Sequence, residues 1–288
     1  MITIFTNPRP FKGPFDTIQR NALKSWIKYG NGCQIVLFED EEKTTSKVAK
    51  ELGLDCITDV AFNKFGTPLF NDAVNKTKKI AKFEILANVN TDIMLFEDFF
   101  LAVKNVKKIL NGEDFLMVGQ RYNVDMDGKE IDFDAVDAKK DILDMVSSKG
   151  KLHMLAAMDY LVFPKKFNFN PPSFAIGRTT LDSWMIFCAR LMKVPAIDAT
   201  LSVKAVHQNH NYPRLKNNSA DCEIERKINV KLAGGFKNMG TIRDADWILY
   251  PGELKRPKFP RRIFSILTLF YPWQLLLCAK RTLQNIRK

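Results

Sequence analysis

The residues best suited to chemistry fall in a few short stretches. NVNTDIML at 88–95 ends an apolar run on Asn90 and Asp92. In parallel α/β sheets ligands bind beyond the carboxyl ends of the strands, and a carboxylate placed there is a hard oxygen donor suited to Mg²⁺ or Mn²⁺ shared with a diphosphate. An Asp at such a place also commonly caps a following helix. HQNHNY at 207–212 sets His207 and His210 three apart, two of only three histidines in the chain. Imidazole completes a divalent site that already has a carboxylate, although an isolated pair is more often a hydrogen-bonded loop. GRTTLDSW at 177–184 puts Gly177 and Arg178 ahead of a helix start and Asp182 in its first turn. A carboxylate there is a candidate general base or a plain helix-start residue. DYLVFP at 159–164 presents Asp159 and Tyr160 where a strand begins, to contact a polyol or to finish a turn. Arg121, in VGQRYNVD, and Arg178 are candidates for phosphate or acceptor, with surface solvation the plainer role for either taken alone.

These stretches need a frame that brings strand ends together. The first 120 residues alternate short β-branched or aromatic runs with longer amphipathic stretches, the pattern of repeated β-α units building a mostly parallel sheet. Strands are predicted at 2–5, 34–38, 55–57, 83–89 and 115–118. Helices are predicted at 15–29, 44–52, 71–81 and 99–110, with Phe15, Ile18, Ala22, Trp26 and Tyr29 on one face of the first. Beyond 120 the pattern loosens: a polar, Asp-rich loop over 123–133, helices at 135–148 and 180–191, and short strands at 160–163, 196–197 and 203–206.

The composition narrows the class. A chain of 288 residues with 46% hydrophobic content and 22 Phe is globular, not disordered. Its five cysteines are scattered, with no paired C-x-x-C spacing, so neither a disulfide framework nor a thiolate zinc site is expected. The opening MITIFTNPRPF lacks the pattern of a signal peptide, which points to a cytoplasmic setting. The formal charge of +12 is uneven: Tyr250 to Lys288 holds nine cations and one anion, so this stretch carries +8. Its cations flank an apolar block, 263–277, that is shorter than the roughly 18 apolar residues of a membrane span. Such a segment fits an interfacial helix pair on anionic lipid or a helix packed on the core, and nucleic-acid binding ranks below both.

The ordered set of TNPRPF, FDTIQRNALKSW, VLFED, Asn90-x-Asp92, the G-R-x-x-x-D-x-W segment and the late H-Q-N-H resembles small bacterial-type GT-A glycosyltransferases over roughly residues 1–250. The resemblance implies a Rossmann-like, mostly parallel sheet flanked by helices in a domain over 1–250, followed by a helical basic and apolar extension over 251–288. It implies transfer of a sugar from a UDP- or GDP-type donor to a glycan or lipid-linked acceptor. Asp92, with one of His207 and His210, would bind Mn²⁺ or Mg²⁺, and neutral Asn90 departs from the usual first Asp. By the same resemblance Thr6, Asn7 and Pro8 lie where the base packs, Asp40 meets the nucleoside, and Asp182 is the base of an inverting reaction. Competing readings are a sugar-1-phosphate nucleotidyltransferase, disfavoured because Thr6–Phe11 has no glycine, and a catalytically silent lipid-binding scaffold.

With the tail on anionic lipid, the protein is expected to associate peripherally with the inner membrane face; with the tail packed on the core or on another subunit, it is not. Liposome co-sedimentation of the full chain should exceed that of a chain ending near Tyr250 and weaken with salt. Equal, salt-insensitive behaviour of the two would refute an anchoring tail.

Overall fold

A computed structural model of the chain describes residues 1–126, 128–209 and 220–257. Met1–Arg256 form one compact unit; the second unit, Pro257–Lys288, and with it most of the predicted helical extension over 251–288, lies outside the described residues apart from Pro257.

In chain order the first half reads β1 (Thr3–Thr6), α1 (Pro14–Tyr29), β2 (Gln34–Phe38), α2 (Thr45–Leu52), β3 (Asp55–Ile57), α3 (Phe70–Ile80), β4 (Ile85–Val89), β5 (Ile93–Met94), α4 (Glu97–Ile109) and β6 (Leu116–Val118). The second half reads β7 (Arg121–Asp125), α5 (Ala138–Lys149), β8 (Lys151–Leu152), β9 (Tyr160–Pro164), α6 (Leu181–Leu191), β10 (Ala196–Asp198), β11 (Ala205–Asn209), α7 (Ala220–Leu232), β12 (Trp247–Tyr250) and β13 (Glu253–Lys255).

Nine strands form the central sheet in the order β13-β12-β10-β6-β9-β4-β1-β2-β3. Five of its eight pairings are parallel, so the expected α/β class with a mostly parallel, Rossmann-like sheet is the one the chain adopts. Successive strand residues point to opposite faces and both faces are apolar, as a sheet covered on both sides requires. Ile4, Ile35, Leu37 and Val162 face one layer with Trp26, Val48, Phe99 and Val106. Phe5, Val36, Phe38 and Phe163 face the other, with Phe70, Phe174 and Met185. Much of the phenylalanine content is spent in this second layer, where Phe5 meets Phe38, Phe70 and Phe163 at 6.4–6.5 Å between ring centres.

Local signals account for the helix ends. Gly13, at φ 53°, turns the chain into α1, whose first residue is Pro14. Gly53, at φ 68°, ends α2 in the left-handed conformation that glycine adopts at least cost. No two of the four cysteines among the described residues form a disulfide with each other, and burial first of all pushes the Cys33, Cys56 and Cys188 thiols up to about 11.

A second sheet, β5-β11-β7-β8, stands at the edge where β1, β2 and β4 end. Its apolar side packs Met94, Val124 and Val206 on Phe133, Ile142 and Val146. Here the structure departs from the sequence reading. The polar loop expected from residue 123 begins as β7, which alternates Arg121, Asn123 and Asp125 with Tyr122 and Val124. β5 and β8 have two residues each, too few for a periodic signal. β13, inside the segment expected to be tail, pairs with β12, so a truncation that spares the sheet must fall after Arg256. Among the described residues no helix is long and apolar enough to cross a membrane.

Trp26, fully buried, donates its indole N–H to the Ile93 carbonyl at 2.8 Å and so ties α1 to β5. Trp26→Phe removes that donor inside the core and should cost about 1–3 kcal/mol, read as a lower midpoint in urea or thermal unfolding.

Candidate functional site

β1 and β4 end side by side, and the Thr6 and Thr91 hydroxyls share a hydrogen bond of 2.7 Å across their ends. Asn90 to Ile93 form a tight turn closed by Ile93 N–H to the Asn90 carbonyl at 3.1 Å, which swings the chain from β4 into β5. Asp92 sits in that turn. It is not the cap of α4, whose preceding residue is Phe96. β9 runs antiparallel to β4 and therefore begins at the same edge. The Asp159 carbonyl accepts the Asn90 N–H at 3.0 Å, and the Asp159 carboxylate accepts the Asn90 amide at 2.7 Å.

The polar face of the small sheet closes on this edge. β11 and β7 pair with His207 opposite Asn123 and Ala205 opposite Arg121, so the period of two puts Arg121, Asn123 and His207 on one face. Arg121 donates Nη1 to Asp159 Oδ1 at 2.6 Å and Nε to Asn123 Oδ1 at 3.0 Å. The Asn123 amide meets His153 Nδ1 at 3.0 Å. His207 Nε2 lies 3.3 Å from Asp92 Oδ2, and its Nδ1 lies 3.3 Å from Asn209 Oδ1. With Nδ1 protonated toward Asn209, Nε2 presents a lone pair beside the Asp92 carboxylate.

Asp182 enters from the first turn of α6, where the Met158 N–H reaches its Oδ2 at 3.4 Å. Burial, reinforced by the neighbouring negative charge of Asp159, pushes the Asp182 carboxyl up to about 8. Burial also raises Asp159, with Arg121 pulling the other way and Asp92 adding to the rise. His153 is held below the ordinary imidazole value, first by burial and then by the positive field of Arg121. Because each of these groups feels the next, Asp92, Asp159, Asp182, Arg121, His153 and His207 form one electrostatic cluster. Three carboxylates face a single guanidinium, and holding a proton on one of them is the physical way to relieve the excess.

Other expected residues lie elsewhere or do different work. Asp40 closes its own loop: Oδ2 accepts the backbone and side-chain donors of Thr44 and Thr45 at 2.7–2.8 Å, and Oδ1 accepts the Glu42 N–H at 2.8 Å. Burial alone would raise its carboxyl, but these bonds hold it below the usual value and tie it to the Thr44 N-cap and the first residue of α2. Tyr160 is wholly buried, edge-on to Phe99 at 5.5 Å. A Cβ at Gly119 would sit 1.8 Å from its hydroxyl, so the ring is a core element that requires glycine there, not an acceptor contact. Arg178 donates Nε to Glu225 at 2.7 Å, Nη2 to Thr67 at 3.3 Å and Nη1 to the Gly177 carbonyl at 3.4 Å. Asn7 is partly buried beside Thr6 and buried Pro8, and neither atom of its side-chain amide finds a hydrogen-bond partner. His210 lies outside the described residues.

Two members escaped the sequence reading. Asn123 was assigned to a loop, although the polar-apolar alternation of RYNVD was the available signal. His153 has no motif and joins the cluster only because β8 pairs with β7. Among the described residues no three His, Cys, Asp or Glu side chains cluster as a metal centre.

No protein-family profile matches the chain, and no curated protein sequence does. Among solved structures it is similar to S. aureus TarS 1–349 in complex with UDP-GlcNAc, at 11% identity and a TM-score of 0.49 over 80% of this chain and 66% of that one. A mycobacterial protein aligns at 12% identity and a TM-score of 0.46, over 81% and 73% of the two chains. A further structure of S. aureus TarS 1–349 aligns at 10% and 0.39, over 73% and 58%. The chain thus spans slightly under two thirds of the first of these proteins, and likenesses this distant transfer no activity to it.

The raised carboxyl makes a stability prediction. Folded Asp182 keeps its proton to about pH 8 while the unfolded group loses it near 3.8, so the folded state holds the extra proton and loses stability as pH rises between those values. Asp182→Asn should match the wild type in melting temperature near pH 4, exceed it increasingly up to pH 8, and keep a constant lead above. A parallel pair of curves would show that the carboxyl titrates normally.

Proposed function

We propose that this chain transfers a glycosyl group from a nucleoside-diphosphate sugar to an acceptor hydroxyl. The observation that carries the reading is the placement, on one rim at the carboxyl ends of parallel strands, of the Asp92–His207 carboxylate–imidazole pair and the separate carboxyl of Asp182 beside the start of β9. In the reaction the acceptor oxygen forms the new bond to the anomeric carbon, the bond from that carbon to the diphosphate oxygen breaks, and the acceptor proton passes to Asp182. A base is most effective when its proton affinity lies near the working pH, which suits a carboxyl tuned to about 8.

Asp92 and His207 would hold Mn²⁺ or Mg²⁺. A pair of protein donors with one oxygen and one nitrogen suits a cation whose other positions are taken by diphosphate oxygens and water. Such a cation supplies neutralisation of the charge that gathers on the departing diphosphate. His210 is the further candidate ligand. The unpartnered amide of Asn7, next to Thr6 and Pro8, is placed to hydrogen-bond the edge of a base. Asp159 and Arg121 stand between the donor side and Asp182, where a sugar or acceptor hydroxyl would meet a carboxylate already oriented by Arg121 and Asn90. The acceptor is read as a glycan or lipid-linked sugar at the inner membrane face, with the basic, apolar extension as anchor.

Incubation with a panel of UDP- and GDP-sugars and Mn²⁺ should release nucleoside diphosphate. Asp92→Ala should lower that rate at least about 100-fold, and full activity in this variant would end the cation assignment. With Asp182 as base, kcat should rise with pH to a plateau above about 8, and Asp182→Asn should lose roughly 10²–10⁴-fold and abolish the rise.

A further inference from the structure

α7 is turned inside out. Its inward face carries Cys222, Glu225, Asn229 and Ala233, all buried. Glu225 is satisfied by Arg178 and Asn63 at 2.7 Å each, and the Asn229 amide exchanges two 3.0 Å bonds with the backbone of Ala175. The branched aliphatics point the other way. Ile224, Ile228 and Leu232 recur every four residues along the outer face at 40–43% exposure, and Phe236, four residues on, is 73% exposed. An ordinary surface helix does the reverse, burying its aliphatic stripe and exposing its acids.

The charges around this stripe share one sign. From Arg226 to Lys237 there are four cations and no anion. Lys227 and Lys231 are exposed and, at helical spacing, fall between the isoleucines and the leucine. The carboxylates facing outward, Asp221 and Glu223, belong to the first turn, and Glu223 lies 3.5 Å from Arg226. A two-fold contact with a second copy would set these lysines against one another. An anionic lipid surface instead takes the aliphatic side chains into the acyl boundary and the ammonium groups at the headgroups.

We propose that the outer face of α7, continued by Phe236, is a docking surface for an anionic membrane. The residues that form this surface belong neither to the rim nor to the C-terminal extension. It also has a direct mechanical link to the rim, because the inward side of α7 grips Ala175 and Arg178, the segment leading into α6 and Asp182. A helix seated on lipid through its outer face therefore orients the start of α6 relative to the bilayer.

The test uses the full chain, without nucleotide, on vesicles of phosphatidylcholine alone or mixed with phosphatidylglycerol. Ile228→Ser, Leu232→Ser and Phe236→Ser together should weaken partition into the anionic vesicles about tenfold or more. Lys227→Gln with Lys231→Gln, which leaves the apolar stripe intact, should weaken the same partition and reduce its salt dependence. Phe236→Trp should add quenching by bromine-labelled anionic lipid beyond that of the wild type, a local readout that binding through the extension alone would not produce. Unchanged partition in both multiple variants overturns the proposal, as does absence of added quenching. A dimer in light scattering that the serine variant dissolves, with vesicle binding intact, overturns it in favour of a second copy.

Discussion

Asp159 is the point on which the rim depends. It begins β9 at the edge where the parallel strands end, and its nearly closed carboxylate takes Arg121 from the small sheet and Asn90 from the end of β4. A buried carboxylate is tolerable only when paired, so the ion pair forces the small sheet to close on the large one at this place. Within the small sheet, the pairing of β11 with β5 brings His207 to Asp92, and the pairing of β8 with β7 brings His153 to Asn123. Removing Arg121 would leave the Asp159 charge buried beside Asp92 and Asp182.

The same crowding sets the chemistry. Asp92 has an imidazole beside it and Asp159 has a guanidinium, whereas Asp182 accepts only from backbone N–H groups. Three similar side chains thereby acquire different tasks through their surroundings alone: one suited to a cation, one to an ion pair and one to a proton. Asp40 shows the contrast. Its carboxylate accepts five hydrogen bonds from its own loop and is held ionised by them.

Much of the frame was legible along the chain. The β-α alternation over the first 120 residues, Pro14 after Gly13 and Gly53 after α2 are local signals, and the elements fall within a few residues of where those signals put them. Asp92 and His207 could be singled out because each ends or follows a short apolar run. The small sheet was largely hidden. Two-residue strands have no period to detect, and a strand with one polar face reads as loop unless its pairing is known. α7 was missed because its aliphatic residues face outward while the glutamate and asparagine on its inner face are satisfied only by distant loops.

From sequence alone came the α/β class, the strand that delivers Asn90 and Asp92, the helix that begins with Asp182, and the concentration of positive charge after residue 249. These rest on propensity, spacing and composition, which are properties of neighbours along the chain. Tertiary structure alone decided that Asp159 pairs with Arg121, that Asp40, Tyr160 and Arg178 serve the fold, that His153 joins the cluster and that α7 faces outward. Those outcomes rest on contacts between residues tens of positions apart, where burial and charge pairing are settled by which strands lie side by side.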